Sequence, residues 1–121
     1  MFRVFPNVKW IVAHAGGAVP WLMERIDNGY RDFPENQLKI DVLPSTYLKG
    51  LYYDTVTFSP HALMLLRDLV GADHMVMGSD FPHLLGAIDR AVPSIVSLTI
   101  PEREKAQILS TTARSILHNV G

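Results

Sequence analysis

Two stretches of this chain deliver side chains suited to acid/base or metal chemistry, and they share one pattern. His14 follows Trp10-Ile11-Val12-Ala13 and is followed by Ala15-Gly16-Gly17; Asp80 follows Met75-Val76-Met77-Gly78-Ser79 and precedes Phe81-Pro82. In both, a short unbroken apolar run stops at polar or glycine punctuation, which reads as a strand buried on both faces. Parallel α/β folds place their chemistry at the carboxyl ends of such strands. Imidazole is the side chain best matched to proton transfer near neutral pH, and imidazole with carboxylate is donor chemistry for zinc and related divalent ions. Each residue alone has a plainer reading, His14 as a structural histidine and Asp80 as the cap of a turn or helix. Their equivalent placement strengthens the chemical reading of both, because strand ends two apart are separated by roughly 10 Å and can converge on one atom.

Weaker candidates surround these two. Trp21, next to Pro20, is placed to wall a pocket, against the plainer reading of a core aromatic; His83, just past Pro82, is placed at a pocket mouth, against that of an exposed loop histidine. Asp54 ends a strand as Asp80 does, and the plainer reading is a partner for backbone or an arginine. His61, at a helix start, and His118, near the terminus, read as incidental.

The elements that must position these residues alternate. After an apolar turn at 1–5 that reads as the end of a helix, a strand spans 9–13, a helix spans 18–27 with Pro20 in its first turn, and Gly29 closes it. Residues 30–49 read as a long insertion with a short helix near 44–47, a lid or an oligomer contact, with disorder as the rival reading. A second strand, rich in aromatic and β-branched residues, spans 51–56. Ser59-Pro60 then caps a helix over 62–70 that Gly71 ends. The third strand leads to Asp80, a helix follows over 88–98, and a last one runs from Pro101 to about His118. Three strand-helix units and a terminal helix make a parallel sheet with right-handed crossovers.

At 121 residues the chain is a single domain, 1–121, and too short for a complete eight-stranded α/β barrel of about 250 residues. A net charge of −1 with scattered basic residues gives no nucleic-acid surface, and no apolar run approaches membrane-spanning length. The absence of cysteine removes disulfides and thiolate metal sites, which fits a cytoplasmic protein.

Taken together, Phe5-Pro6-Asn7-Val8-Lys9 running into Ile11-Val12-Ala13-His14-Ala15-Gly16-Gly17, then Pro44-Ser45, Tyr52-Tyr53-Asp54-Thr55, Gly71-Ala72-Asp73 and Gly78-Ser79-Asp80-Phe81-Pro82 resemble the carboxyl-terminal part of the amidohydrolase-related metal-dependent hydrolases. The branch they are similar to contains aminocarboxymuconate-semialdehyde decarboxylase and the aromatic-acid decarboxylases. The resemblance implies a distorted (β/α)8 barrel of which this chain supplies the sixth, seventh and eighth strands. It implies a hydrolase or decarboxylase acting on a small carboxylic acid, with His14 as catalytic acid/base and Asp80 as ligand of a divalent metal, zinc or manganese, or of its activated water. Arg25 matches an arginine that related decarboxylases use for the substrate carboxylate, sometimes across a subunit interface, a role suited to its bidentate geometry.

The resemblance also implies that the other metal ligands, a His-x-His pair and a further histidine, belong to earlier strands; His61, His74, His83 and His118 are not placed to replace them. The metal site is therefore expected to be incomplete in this chain. Three parallel strands leave two unpaired edges, so association with itself or with a partner chain is expected, and the rival functional reading is a non-catalytic truncated remnant that only assembles with itself or with an amino-terminal partner.

Overall fold

The computed structural model describes residues 4–37 and 39–118. Three parallel strands, β1 (Ile11–Val12), β2 (Tyr52–Asp54) and β3 (Met75–Val76), form one sheet in chain order. Ile11 pairs with Tyr52 and Val12 with Tyr53; on the other side Tyr53 pairs with Met75 and Asp54 with Val76. Helix α1 (Val19–Asp32) follows β1 and leads through α2 (Pro34–Gln37) and α3 (Pro44–Lys49) to β2; α4 (Pro60–Val70) joins β2 to β3. After β3 come α5 (Ile88–Val96) and a terminal helical segment made of α6 (Glu102–Ala106), a π-helical turn (Gln107–Thr111) and α7 (Thr112–His118). The α/β architecture with a small parallel sheet is the one the alternating pattern predicts.

Helix boundaries follow from local chemistry. Pro60 fits the first turn of α4, and the Ser59 hydroxyl accepts from the Ala62 amide at 3.5 Å. The apolar face of α4 then buries Leu63 and Leu66 completely against Tyr53 of β2, Met75 of β3, Ile95 of α5 and Ile108 of the π turn. Each such side chain contributes about 1.5–3 kcal/mol by leaving water. Two ion-pair contacts clamp the outside of this core: Arg67 on α4 donates through Nε and Nη2 to Glu104 on α6 at 2.8 and 3.0 Å.

Several expectations are corrected. The strands are shorter than the apolar runs; β3 is buried on both faces as expected, with Met75 0% and Val76 6% exposed, whereas in β1 Ile11 is 53% exposed. Successive strand residues point to opposite faces, so Val12 packs on the helix-side core while Ile11 faces the other side of the sheet, which is open at β1 and covered at Val76 of β3. Helix α1 does not stop at Gly29 but continues to Asp32, held by the Arg31 guanidinium on Glu24 and Asn28 and closed by the Phe33 amide on the Gly29 carbonyl. Of the 30–49 segment, the described residues form an ordered connection. Buried Asp27 on α1 accepts from the Ser45 amide at 2.9 Å and so docks the start of α3, and the Tyr30 hydroxyl donates to the Ile40 carbonyl. Val4 and Phe5 lie exposed in a turn region rather than at a helix end, whereas Phe2 and Leu38 fall outside the described residues. The end of β3 is not left bare, since the Met77 amide donates to the Ile108 carbonyl at 3.0 Å, where the helix widens into its π turn.

Candidate active site

All three strands end in backbone that ordinary L-residues avoid. Among the described residues, the non-glycine positions with positive φ are His14 (56°) and Ala15 (53°) after β1, Phe58 (54°) after β2 and Asp80 (59°) after β3. Such conformations cost of order 1–3 kcal/mol each, persist only where neighbours over-determine them, and cluster at functional sites. His14 and Asp80, the two residues singled out by strand-end punctuation, are both in this set.

At the end of β1, His14 opens a tight 3-10 turn. The Gly16 amide donates to the Ala13 carbonyl at 3.0 Å and the Gly17 amide to the His14 carbonyl at 2.8 Å. Ala15 is buried and its amide donates to Asp54 Oδ1 at 3.0 Å, leaving the His14 imidazole on the exposed side of the turn. After β3 the chain forms a closed loop. The His83 amide donates to the Asp80 carbonyl at 2.8 Å, the Gly86 amide to the His83 carbonyl at 2.9 Å and the Ala87 amide to the Ser79 carbonyl at 2.9 Å. Gly86 packs so tightly on this loop that a Cβ there would lie 2.6 Å from the Asp80 carbonyl oxygen. Asp80 is partly buried at the root of the loop, while Phe81 and His83 are exposed on it.

A cavity of about 500 Å³ opens beside His14, between the first turns of α1 and α4, and is lined by Trp21, Thr57, Ser59, His61 and Leu65. Trp21 is 79% exposed, so it is a wall of this cavity and not a core aromatic. The buried positions of α1 are Pro20, Met23 and Asp27, and Trp21 lies a third of a turn off that stripe. His61, which reads as incidental in the sequence, shares the cavity with His14. The signal was available in Ser59-Pro60-His61, a capped helix start directly after a strand end. Asp80 and His83 do not line this cavity, and Arg25 borders a different groove, with Asn28, Asp32 and Phe33. His74 is structural: its Nδ1 lies 2.9 Å from the Leu51 carbonyl oxygen and its ring stacks on Tyr52 at 5.0 Å. The His118 side chain lies outside the described part.

Among the described residues no three His, Asp or Glu side chains come together closely enough to hold a metal ion. A catalytic zinc takes three protein ligands as a rule, so Asp80 and His14 do not fit such a centre without donors from elsewhere. No helix among these residues is long and apolar enough to cross a membrane.

Residues 1–118 match the sequence profile of a family described as Amidohydrolase. The chain is 34% identical over 104 residues to 2-amino-3-carboxymuconate-6-semialdehyde decarboxylase of Caenorhabditis elegans, a match covering 84% of this chain and 26% of that protein. Among solved structures, 5-carboxyvanillate decarboxylase from Sphingomonas paucimobilis superposes with a TM-score of 0.85 at 26% identity, over 97% of this chain and 36% of that one. A dihydroxybenzoic acid decarboxylase from Polaromonas sp. JS666, solved with bound manganese and the inhibitor 2-nitroresorcinol, shares the fold with a TM-score of 0.75 at 23% identity, over 98% and 38% of the two chains. The solved relatives are (β/α)8-barrel enzymes. This chain spans about a quarter of the length of the curated relatives it matches first.

Proposed function

The chain belongs to the amidohydrolase family, and from that membership we propose that it is the carboxyl-terminal section of a divalent-metal-dependent carboxy-lyase that removes carbon dioxide from a small carboxylic acid. The names of its relatives favour decarboxylation over hydrolysis. The observation that carries the reading is the placement of His14 and Asp80, both in left-handed backbone at the carboxyl ends of the two outer strands.

In this reading His14 holds the proton that replaces carbon dioxide on the substrate carbon, a task for which an exposed imidazole on a rigid turn is well suited. Asp80 contributes one carboxylate to the metal, manganese or zinc, and the remaining ligands come from a section of the barrel that carries a His-x-His strand. Trp21 and His61 bound the space beside His14, and His83 stands on the loop that Asp80 roots. Arg25 opens on its own groove, so a role in holding a substrate carboxylate belongs to the site of a neighbouring copy.

The test is to co-express or fuse the chain with an amino-terminal section bearing the His-x-His strand, load manganese or zinc, and offer carboxyvanillate- and dihydroxybenzoate-type acids. Release of carbon dioxide is expected from at least one of them. Ester or amide hydrolysis with no release of carbon dioxide would move the assignment to a hydrolase.

A further inference from the structure

We propose that Asp54 and Thr55, at the end of the central strand, are the positioning residues of this site, fixing the backbone from which both His14 and Asp80 project. Asp54 Oδ1 accepts two amides at once, from Ala15 in the turn after β1 and from Val56 just past the end of its own strand, each at 3.0 Å. The Ala15 bond holds the second of two consecutive left-handed residues, so the carboxylate fixes the turn on which His14 stands. Thr55 is fully buried, and its hydroxyl accepts from the Gly78 amide at 3.2 Å, two residues before Asp80. Its carbonyl accepts from the Thr57 and Phe58 amides at 2.7 and 3.3 Å, which closes the turn containing left-handed Phe58. One dipeptide therefore touches every strand end that carries a strained residue.

The physical logic is that left-handed non-glycine backbone relaxes unless it is held. Hydrogen bonds to a charged acceptor are stronger than neutral ones, which makes a carboxylate a fitting clamp for the turn that costs most. The central strand pairs with both flanking strands, so a clamp placed at its end sets the separation of His14 and Asp80 in addition to each conformation. This inference rests on the reading of those two residues as the reacting groups, but its test needs neither substrate nor metal.

Amide hydrogen exchange measured by NMR on the chain as it stands separates the two clamps. In Asp54→Ala, exchange at Ala15 and Val56 is expected to accelerate by about tenfold, the loss of one charge-assisted hydrogen bond, while Leu63 and Leu66 in the core keep their protection. Asp54→Asn retains an oxygen able to accept both amides and is expected to restore Ala15. Thr55→Val preserves shape and removes the hydroxyl; it should accelerate Gly78 and leave Ala15 unchanged. Should Asp54→Ala fail to fold, the Asn and Val variants carry the test. Ala15 unprotected in Asp54→Asn, Gly78 protection unaltered in Thr55→Val, or acceleration spread evenly through Leu63 and Leu66 in either variant would overturn the proposal.

Discussion

Gly16 rests directly against the ring of Tyr53: a Cβ at position 16 would stand 2.7 Å from Tyr53 Cε1 and 3.0 Å from Cδ1. The ring has nowhere to go, because Tyr53 is fully buried and its hydroxyl donates to the Leu48 carbonyl at 2.8 Å. The turn that presents His14 is thus moulded on the core, and its backbone at Gly16 has φ +80°.

Gly16→Ala is expected to destabilise the fold by roughly 2–4 kcal/mol, adding left-handed strain to overpacking. Gly17→Ala, also at positive φ but with nothing within 4 Å of the added carbon, should cost only about 1–2 kcal/mol. Urea unfolding midpoints compare the two. Equal losses would mean that the Tyr53 ring yields.

Burial raises the Tyr53 phenol above its ordinary value. A raised folded-state pKa means that the stabilisation is whole below the unfolded-state value, about 10, and is lost as pH rises toward the folded one. Stability should therefore fall above pH about 10 in a step absent from Tyr53→Phe, which at neutral pH loses about 0.5–1.5 kcal/mol with the Leu48 hydrogen bond. Denaturant titrations from neutral to alkaline pH check both parts.

The Glu104 carboxyl is held below the usual carboxylate range, chiefly by its hydrogen bonds to the Arg67 guanidinium and also by that group's charge. Here the sign reverses. The contribution is present above the unfolded-state pKa of about 4.3 and disappears as pH falls through the lower folded-state value. Glu104→Gln should flatten the acid limb of the stability profile and leave the alkaline limb in place. Thermal melts across acidic pH, compared at high and low salt, would show it.

Much of this was legible in the sequence, and the reasons differ by residue. Strand-end punctuation located His14 and Asp80 because an apolar run that stops at glycine or Gly-Ser is a local signal. Their left-handed backbone was not legible, since non-glycine residues reach it only under tertiary constraint. Asp54 was seen as a strand-end carboxylate, but its double acceptance depends on β1 lying beside β2, which no local pattern states. Asp27 was missed although Pro20, Met23 and Asp27 fall at helical spacing, a polar group on a buried stripe that required a partner. The strand lengths were overestimated because an unbroken apolar run looks the same whether the far side of the sheet is packed or open.

That open side and the outer face of α5 motivate an expectation about association. Ile88, Val92 and Val96 recur every four residues and are 61%, 44% and 52% exposed, beside the exposed Leu84 and Leu85. A continuous apolar stripe of this kind drives self-association or pairing with a partner section. Light scattering at micromolar concentration should give a mass above that of one chain, and Val92→Lys, at the centre of the stripe, should lower it. A monodisperse monomer at every concentration would refute this.

The central claim is that His14 acts on substrate protons while Asp80 holds metal, and metal content measured alongside turnover in the complemented enzyme tests it most directly. His14→Ala is expected to lower kcat by about 10²–10⁴-fold, the worth of a general acid/base, with metal staying near one per site. Asp80→Ala should lose metal and activity together. Metal lost in step with activity in His14→Ala, or full turnover in that variant, would contradict the account.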